Sequence, residues 1–221
     1  MRSGSPILHR RHARGHARML ALTGLLAVAA LAAAPLAATA ATPYGINLVK
    51  NPGAQIGLTN WDVDGDFGTQ AYGASGLGFP STSASASIGG GTRFFWGGPS
   101  EANSDLCGDA NQEFALTGLG SAIDSGHVKV RLRGYAGTNG AADLNAHLDL
   151  YFRTANNHSV ASNGIENTAT STNEQYVRFD VTKTLSRSTR LLRLHLWVDG
   201  EGTTGGCQGF WDKLSVVLIA S

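Results

Sequence analysis

Apolar and polar residues alternate along four stretches in the second half of the chain. In His127–Gly134 the apolar set is Val128, Val130 and Leu132, opposed by His127, Lys129, Arg131 and Arg133. In Asp143–Arg153, Leu144, Ala146, Leu148, Leu150 and Phe152 face one way, and Asn145, His147, Asp149, Tyr151 and Arg153 the other. Tyr176–Thr182 sets Val177, Phe179 and Val181 against Tyr176, Arg178 and Asp180. Arg190–Asp199 sets Leu192, Leu194, Leu196 and Val198 against Leu191, Arg193, His195 and Trp197. A period of two puts successive side chains on opposite faces of a pleated strand, so each stretch predicts a half-buried antiparallel strand. Shorter strands are expected at Ile46–Lys50, Trp61–Tyr72 (broken near Gly65), Thr92–Trp96 and Glu113–Thr117, and a central apolar one at Phe210–Ile219. Turn-forming clusters separate them: Asn51-Pro52-Gly53, Gly89-Gly90-Gly91, Gly97-Gly98-Pro99, Gly137 to Gly140 and Gly200 to Gly206. About nine strands and no helix predict an all-β domain: a two-sheet antiparallel β-sandwich or jelly roll. Ser81–Ser87 (STSASAS) reads as a flexible surface loop.

The first forty residues follow another pattern. Arg10, Arg11, Arg14 and Arg18 precede an apolar run, Met19 to Ala34, then Pro35 and small residues up to Ala41. A basic segment, an apolar segment and an A-x-A site ending at Ala40 predict a secretory signal, cleaved to leave a secreted, extracellular domain from residue 41. This segment holds five of the 17 basic residues and none of the 16 acidic ones, which leaves 12 basic and 16 acidic side chains for the rest. A body of net charge −4 lacks the basic surface that nucleic acid or an anionic membrane requires. Cys107 and Cys207 are the two cysteines. Outside the cell an even pair is most simply one disulfide.

The polar strand faces carry the candidate chemistry. Tyr151 and Trp197 are outward aromatics among Asn145, His147, Asp149, Arg153, Arg131, Arg133, Arg193 and His195. A sugar ring offers an apolar C–H face and a rim of hydroxyls. An aromatic stacked on that face, with planar polar side chains on the rim, makes a glycan cleft. The ligand-binding set expected on this basis is Tyr151, Trp197, His195, Asp149, Asn145, Arg131 and Arg193. The same residues also suit a solvated strand face with cross-strand ion pairs. Phe94, Phe95 and Trp96, running into Gly97-Gly98, suit a loop-tip site or, for the two phenylalanines, core packing. Asp62, Asp64 and Asp66 have the spacing of a calcium loop's start, but Phe67 and Gly73 stand where that loop needs Gly and Glu, so a water-facing strand fits better. Among His127, His147, His158 and His195 no pair has the short spacing of a zinc site, and neither a G-x-S-x-G elbow nor a P-loop occurs.

Asn47-Leu48-Val49-Lys50-Asn51-Pro52-Gly53-Ala54-Gln55, followed by Trp61, resembles the opening of secreted bacterial carbohydrate-binding-module-like domains with the galactose-binding-type jelly roll. Phe210-Trp211-Asp212-Lys213-Leu214-Ser215-Val216 resembles their closing strand. The resemblance spans roughly residues 46–219. It implies a non-catalytic, lectin-like protein whose partner is a glycan or polysaccharide, and a structural calcium ion held between the two end segments. Asp212 and Gln55 are the residues it would assign to calcium, with Gln55 standing where the family has Glu and Lys213 where it has Asn. The rival expectations are an extracellular or envelope protein that contacts other proteins through the same sandwich, and a jelly-roll glycan hydrolase or lyase.

Overall fold

The computed structural model describes residues 43–75, 78–98, 107–140, 144–160, 164–170, 176–199 and 207–221. The expected export segment, residues 1–40, lies outside them. In chain order the elements are β1 (Asp62–Asp64), β2 (Gly68–Ala71), α1 (Thr82–Ile88), β3 (Arg93–Trp96), β4 (Asp109–Ala115), α2 (Gly120–Asp124), β5 (Val128–Thr138), β6 (Asn145–Arg153), β7 (Thr168–Thr170), β8 (Val177–Thr184), β9 (Leu191–Asp199) and β10 (Gly209–Ala220).

Among the described residues ten strands form two five-stranded antiparallel sheets. Sheet I has the order β1-β4-β9-β6-β7 and sheet II the order β2-β3-β10-β5-β8. The expected β-sandwich is therefore the fold. The alternating stretches supply its interior. Val128, Val130 and Leu132 of sheet II and Leu148, Leu150, Leu192, Leu194 and Leu196 of sheet I are all fully buried in one cluster. Each such side chain contributes about 1.5–3 kcal/mol by leaving water. Phe95 and Trp211 join this core, and Trp211 crosses it to donate its indole N–H to the carbonyl of His147 at 2.9 Å. Gly134, the core-facing residue where β5 meets a bulge in β10, has Leu148 and Leu214 methyls where a Cβ would lie, 2.9 Å from each. The Cys107–Cys207 disulfide forms as expected, and it joins the entry of β4 in sheet I to the entry of β10 in sheet II.

Four sequence expectations change. Ile46–Lys50 is not a regular strand. It runs beside β10 with single bridges at Tyr44 and Asn47, because the Asn47 side chain takes over the pairing: its Oδ1 accepts from Val216 N at 3.0 Å and its Nδ2 donates to Leu214 O at 3.1 Å. Trp61–Tyr72 breaks near Gly65 as expected, but its two parts, β1 and β2, belong to different sheets. The Ser-Ala run is a helix, α1, closed by Ser81 accepting from Ala84 N and by Gly89 in the left-handed conformation. A seven-residue helix of small residues, with Ile88 its one large apolar side chain, has no apolar stripe, so its period is invisible in the sequence. The second helix, α2, is five residues long and buries only Ile123.

A second aromatic cluster covers part of the outer face of sheet II. Tyr72, Phe94 and Phe210 are buried there with Phe79, Trp96 and Tyr176 packed against them. Phe94 and Phe95 thus point to opposite sides of β3, both into packed interiors.

Candidate functional site on the outer face of sheet I

The outward residues of β6 and β9 lie side by side across the centre of sheet I. Register pairs Asn145 with Asp199, His147 with Trp197, Asp149 with His195 and Tyr151 with Arg193. β4 adds Asn111 beside His195 and Glu113 beside Arg193, and β7 adds Thr168 beside His147. The Trp197 and His147 rings stack with centroids 3.9 Å apart and planes 12° from parallel. His195 follows at 6.0 Å from Trp197, and Tyr151 at 5.9 Å from His195. Four rings therefore form a stripe, Tyr151–His195–Trp197–His147, and the guanidinium of Arg153 lies 5.8 Å from the Tyr151 centroid.

Asp149 holds the stripe together from below. Its Oδ2 accepts from Trp197 Nε1 at 2.8 Å and from the Tyr151 hydroxyl at 3.1 Å, and its Oδ1 accepts from Asn167 N at 3.1 Å. Only 2% of Asp149 is exposed. The expected role of Asp149 as a direct sugar contact is therefore corrected. It positions the two aromatic rings, because its acceptor capacity is committed beneath them. Burial first, and the neighbouring Asp149 carboxylate second, push the Tyr151 hydroxyl up to about 12, so Tyr151 stays a neutral donor.

The rim of the stripe is polar and in part paired, with His147 Nε2 and Asp199 Oδ1 buried without a hydrogen-bond partner. Arg193 Nε donates to Glu113 Oε1 at 2.8 Å. His147 Nε2 lies 3.0 Å from Asp199 Oδ2, and its Nδ1 lies 3.2 Å from Thr168 Oγ1. His195 Nε2 lies 3.6 Å from Asp109 Oδ1. Burial outweighs that acid and pulls the His195 imidazole below its ordinary value.

Of the seven expected ligand-binding residues, six share this face: Tyr151, Trp197, His195, Asp149, Asn145 and Arg193. Arg131 does not. It stands on β5 in sheet II, where its Nε and one terminal nitrogen each bond Asp180 at 2.6 Å. A period-two pattern separates inward from outward residues but cannot say to which of two sheets a strand belongs. Asp109 and Asn111 were missed because the strand holding them was expected to start at Glu113. Their inward neighbour is Gln112, a polar residue 7% exposed, which breaks the alternation. Gln112 is buried to clamp the backbone of Lys50, accepting from its N–H at 3.0 Å and donating to its carbonyl at 2.8 Å.

Asp212 and Gln55 do not form the expected calcium site. Asp212 is wholly buried, with Oδ2 accepting from the Tyr72 hydroxyl at 2.7 Å and Oδ1 from Lys213 N at 2.6 Å. Burial raises its carboxyl above the ordinary range, which favours the neutral form. The Gln55 amide nitrogen donates to the carbonyls of Gly53 and Arg93, and its oxygen accepts from Thr92 N at 2.9 Å and Thr92 Oγ1 at 3.0 Å. An N–H donor thus occupies two carbonyls that a cation would need, and calcium requires a cage of oxygen ligands. Gly91 leaves room for this amide, since a Cβ there would collide with it. Asp62 and Asp64 stand exposed on β1, as a water-facing strand requires. Among the described residues no group of three or more His, Cys, Asp or Glu could hold a metal ion.

No protein-family model matches the chain, and no curated protein sequence does. Among solved structures it is similar to the enzymatically active domain of tailspike protein 4 of Bacteriophage CBA120, with 15% identity, TM-score 0.53, and coverage of 79% of this chain but only 22% of that one. It is also similar to the Stig cyclase Fisc from Fischerella sp. TAU, with 12% identity, TM-score 0.50, and coverage of 79% and 98%. A third similar structure is TmCBM61 in complex with beta-1,4-galactotriose, with 17% identity, TM-score 0.48, and coverage of 79% and 99%. At these identities the first two likenesses, at TM-scores of 0.53 and 0.50, support the sandwich scaffold alone, and the reading of what the chain does rests on its own side chains.

Proposed function

We propose that this chain is a secreted, non-catalytic carbohydrate-binding sandwich that lays a glycan along the Tyr151–His195–Trp197–His147 stripe. One observation carries the reading: a single buried carboxylate, Asp149, orients both Tyr151 and Trp197 on the same sheet face. Rings fixed in advance lose little freedom when a sugar packs against the stripe, which favours binding. Asn145, Asn111 and Arg193 flank the stripe and are of the right chemistry for the hydroxyl rim. Asp149 is engaged with Trp197 and Tyr151 and Glu113 with Arg193, while Asp199 and Asp109 lie near His147 and His195, and Asp62 and Asp64 stand on the exposed edge strand β1. Such pairing suits positioning better than proton transfer. The basic-then-apolar N-terminal pattern and the Cys107–Cys207 bridge support export to an oxidising compartment.

The test is retention of the full chain on soluble and insoluble polysaccharides, compared with Trp197→Ala and Tyr151→Ala. Retention on at least one glycan, lost in both variants, is expected. Retention that survives both substitutions would place the site elsewhere, and no retention on any glycan would remove the proposal.

A further inference from the structure

A groove of about 740 Å³ lies on the other sheet, against the outer face of sheet II. Its lining includes three cations from three strands: Arg133 of β5, Arg178 of β8 and Lys213 of β10. Asp180 lies between the nearby arginines, but it is bonded by Arg131 at 2.6 Å and by Arg178 at 3.2 Å. Among the described residues Arg133 and Lys213 make no ion pair, and the Nε of Arg133 is buried without a hydrogen-bond partner. The bulge in β10 between Asp212 and Ser215 turns Lys213 outward to the groove, with a positive φ of 55°. A lysine rarely holds that conformation, and strained residues cluster where a side chain must be aimed.

Asp212, the one acid among the described lining residues, is sealed from any occupant. Its two oxygens are bonded to Tyr72 and Lys213, and a Cβ on Gly53 or Gly90 would lie 2.6 Å from one or the other. The polar amides of the lining are likewise committed: Asn47 to β10, Asn51 to the turn at 56–59, and Gln55 to its neighbouring backbone. What remains available is positive charge beside apolar surface, namely Ile56 at 59% exposure, Ile88 and the Tyr135 ring.

We propose that this groove is a second binding site, for a ring-bearing organic oxyanion of about one or two sugar units. The oxyanion meets Arg133 and Lys213, with Arg178, held by Asp180, beside them, and the ring body lies on Tyr135 and Ile56. Carboxylate and sulfate ester share this chemistry, since both present planar or clustered oxygens to guanidinium groups. The site is independent of the stripe on sheet I.

Calorimetry with the full chain tests it, using digalacturonate, a monosulfated digalactose and neutral digalactose as probes. At least one anionic probe is expected to bind tenfold or more above the neutral one, and the better of the two identifies the oxyanion. Arg133→Gln and Lys213→Asn, each checked for folding by circular dichroism, should both weaken it by about tenfold. Asn tolerates the left-handed backbone at position 213, so a folded variant is secured. Trp197→Ala should leave this binding unchanged. Equal binding of neutral and anionic probes, no binding of either anion, or binding lost only in Trp197→Ala would each overturn the proposal.

Discussion

Asp149 and Trp197 form the central polar contact of sheet I: the buried carboxylate accepts the indole N–H at 2.8 Å, on the side of the sheet that faces away from the core. Replacing Asp149 by Ala removes this bond together with those from the Tyr151 hydroxyl and Asn167 N. Each buried hydrogen bond left without its partner costs about 1–3 kcal/mol, so urea denaturation should show a loss of at least that size. Glycan retention should fall as well, although neither ring has been removed, because the rings lose their fixed orientation.

Tyr151→Phe and Tyr151→Ala separate ring from hydroxyl. The Phe variant keeps the stacking surface and gives up one bond to Asp149, so binding should stay within a few-fold of the parent. The Ala variant should lose about tenfold or more, a difference of at least ~1.4 kcal/mol. Affinity electrophoresis in the retaining polysaccharide measures both. Equal behaviour of Phe and Ala would assign the role of Tyr151 to its hydroxyl instead of its ring.

His195 makes stability depend on pH. Burial holds its folded value below the ordinary 6.5, so the unfolded chain binds more protons once the pH drops under that figure. Its contribution is complete above about 6.5 and declines as pH falls toward the folded value. Asp124 acts in a separate, more acidic window. The hydrogen bond from Arg190, assisted by Ser188 N, lowers its carboxyl from 3.8 to about 2, so its contribution is present above 3.8 and lost as pH falls to about 2. Thermal melts of His195→Gln should therefore lose the slope below pH 6.5 and keep the one below pH 4.

The Cys107–Cys207 bridge closes a loop of sequence separation 100. Chain-entropy reasoning assigns such a loop about 4.7 kcal/mol. Cys107→Ala with Cys207→Ala should shift the urea midpoint downward by a corresponding amount. Reduction of the parent should reproduce the shift.

Gln55→Glu tests the amide that stands in the resemblance's cation position. The change turns a donor to the Gly53 and Arg93 carbonyls into an acceptor facing them. In chelator the variant should be about 1–3 kcal/mol less stable than the parent. Calcium should recover the variant and leave the parent unaffected, as followed by differential scanning fluorimetry.

Sequence alone carried the sandwich. Val128, Val130 and Leu132, or Leu192, Leu194 and Leu196, can be buried together only on one face of a strand, so the period of two specifies both the element and its inward face. The cysteine count likewise sufficed for the bridge. Tertiary structure decided the rest, because pairing between strands is non-local. Arg131 and Arg193 have the same local pattern, yet one strand joined β10 and the other joined β6. Gln112 and Asp149 look like surface residues in the sequence and are buried because partners distant along the chain satisfy them: Lys50 in one case, Trp197 and Tyr151 in the other. A strand's faces follow from its own residues, whereas which face becomes a site depends on the register that sets neighbouring strands against it.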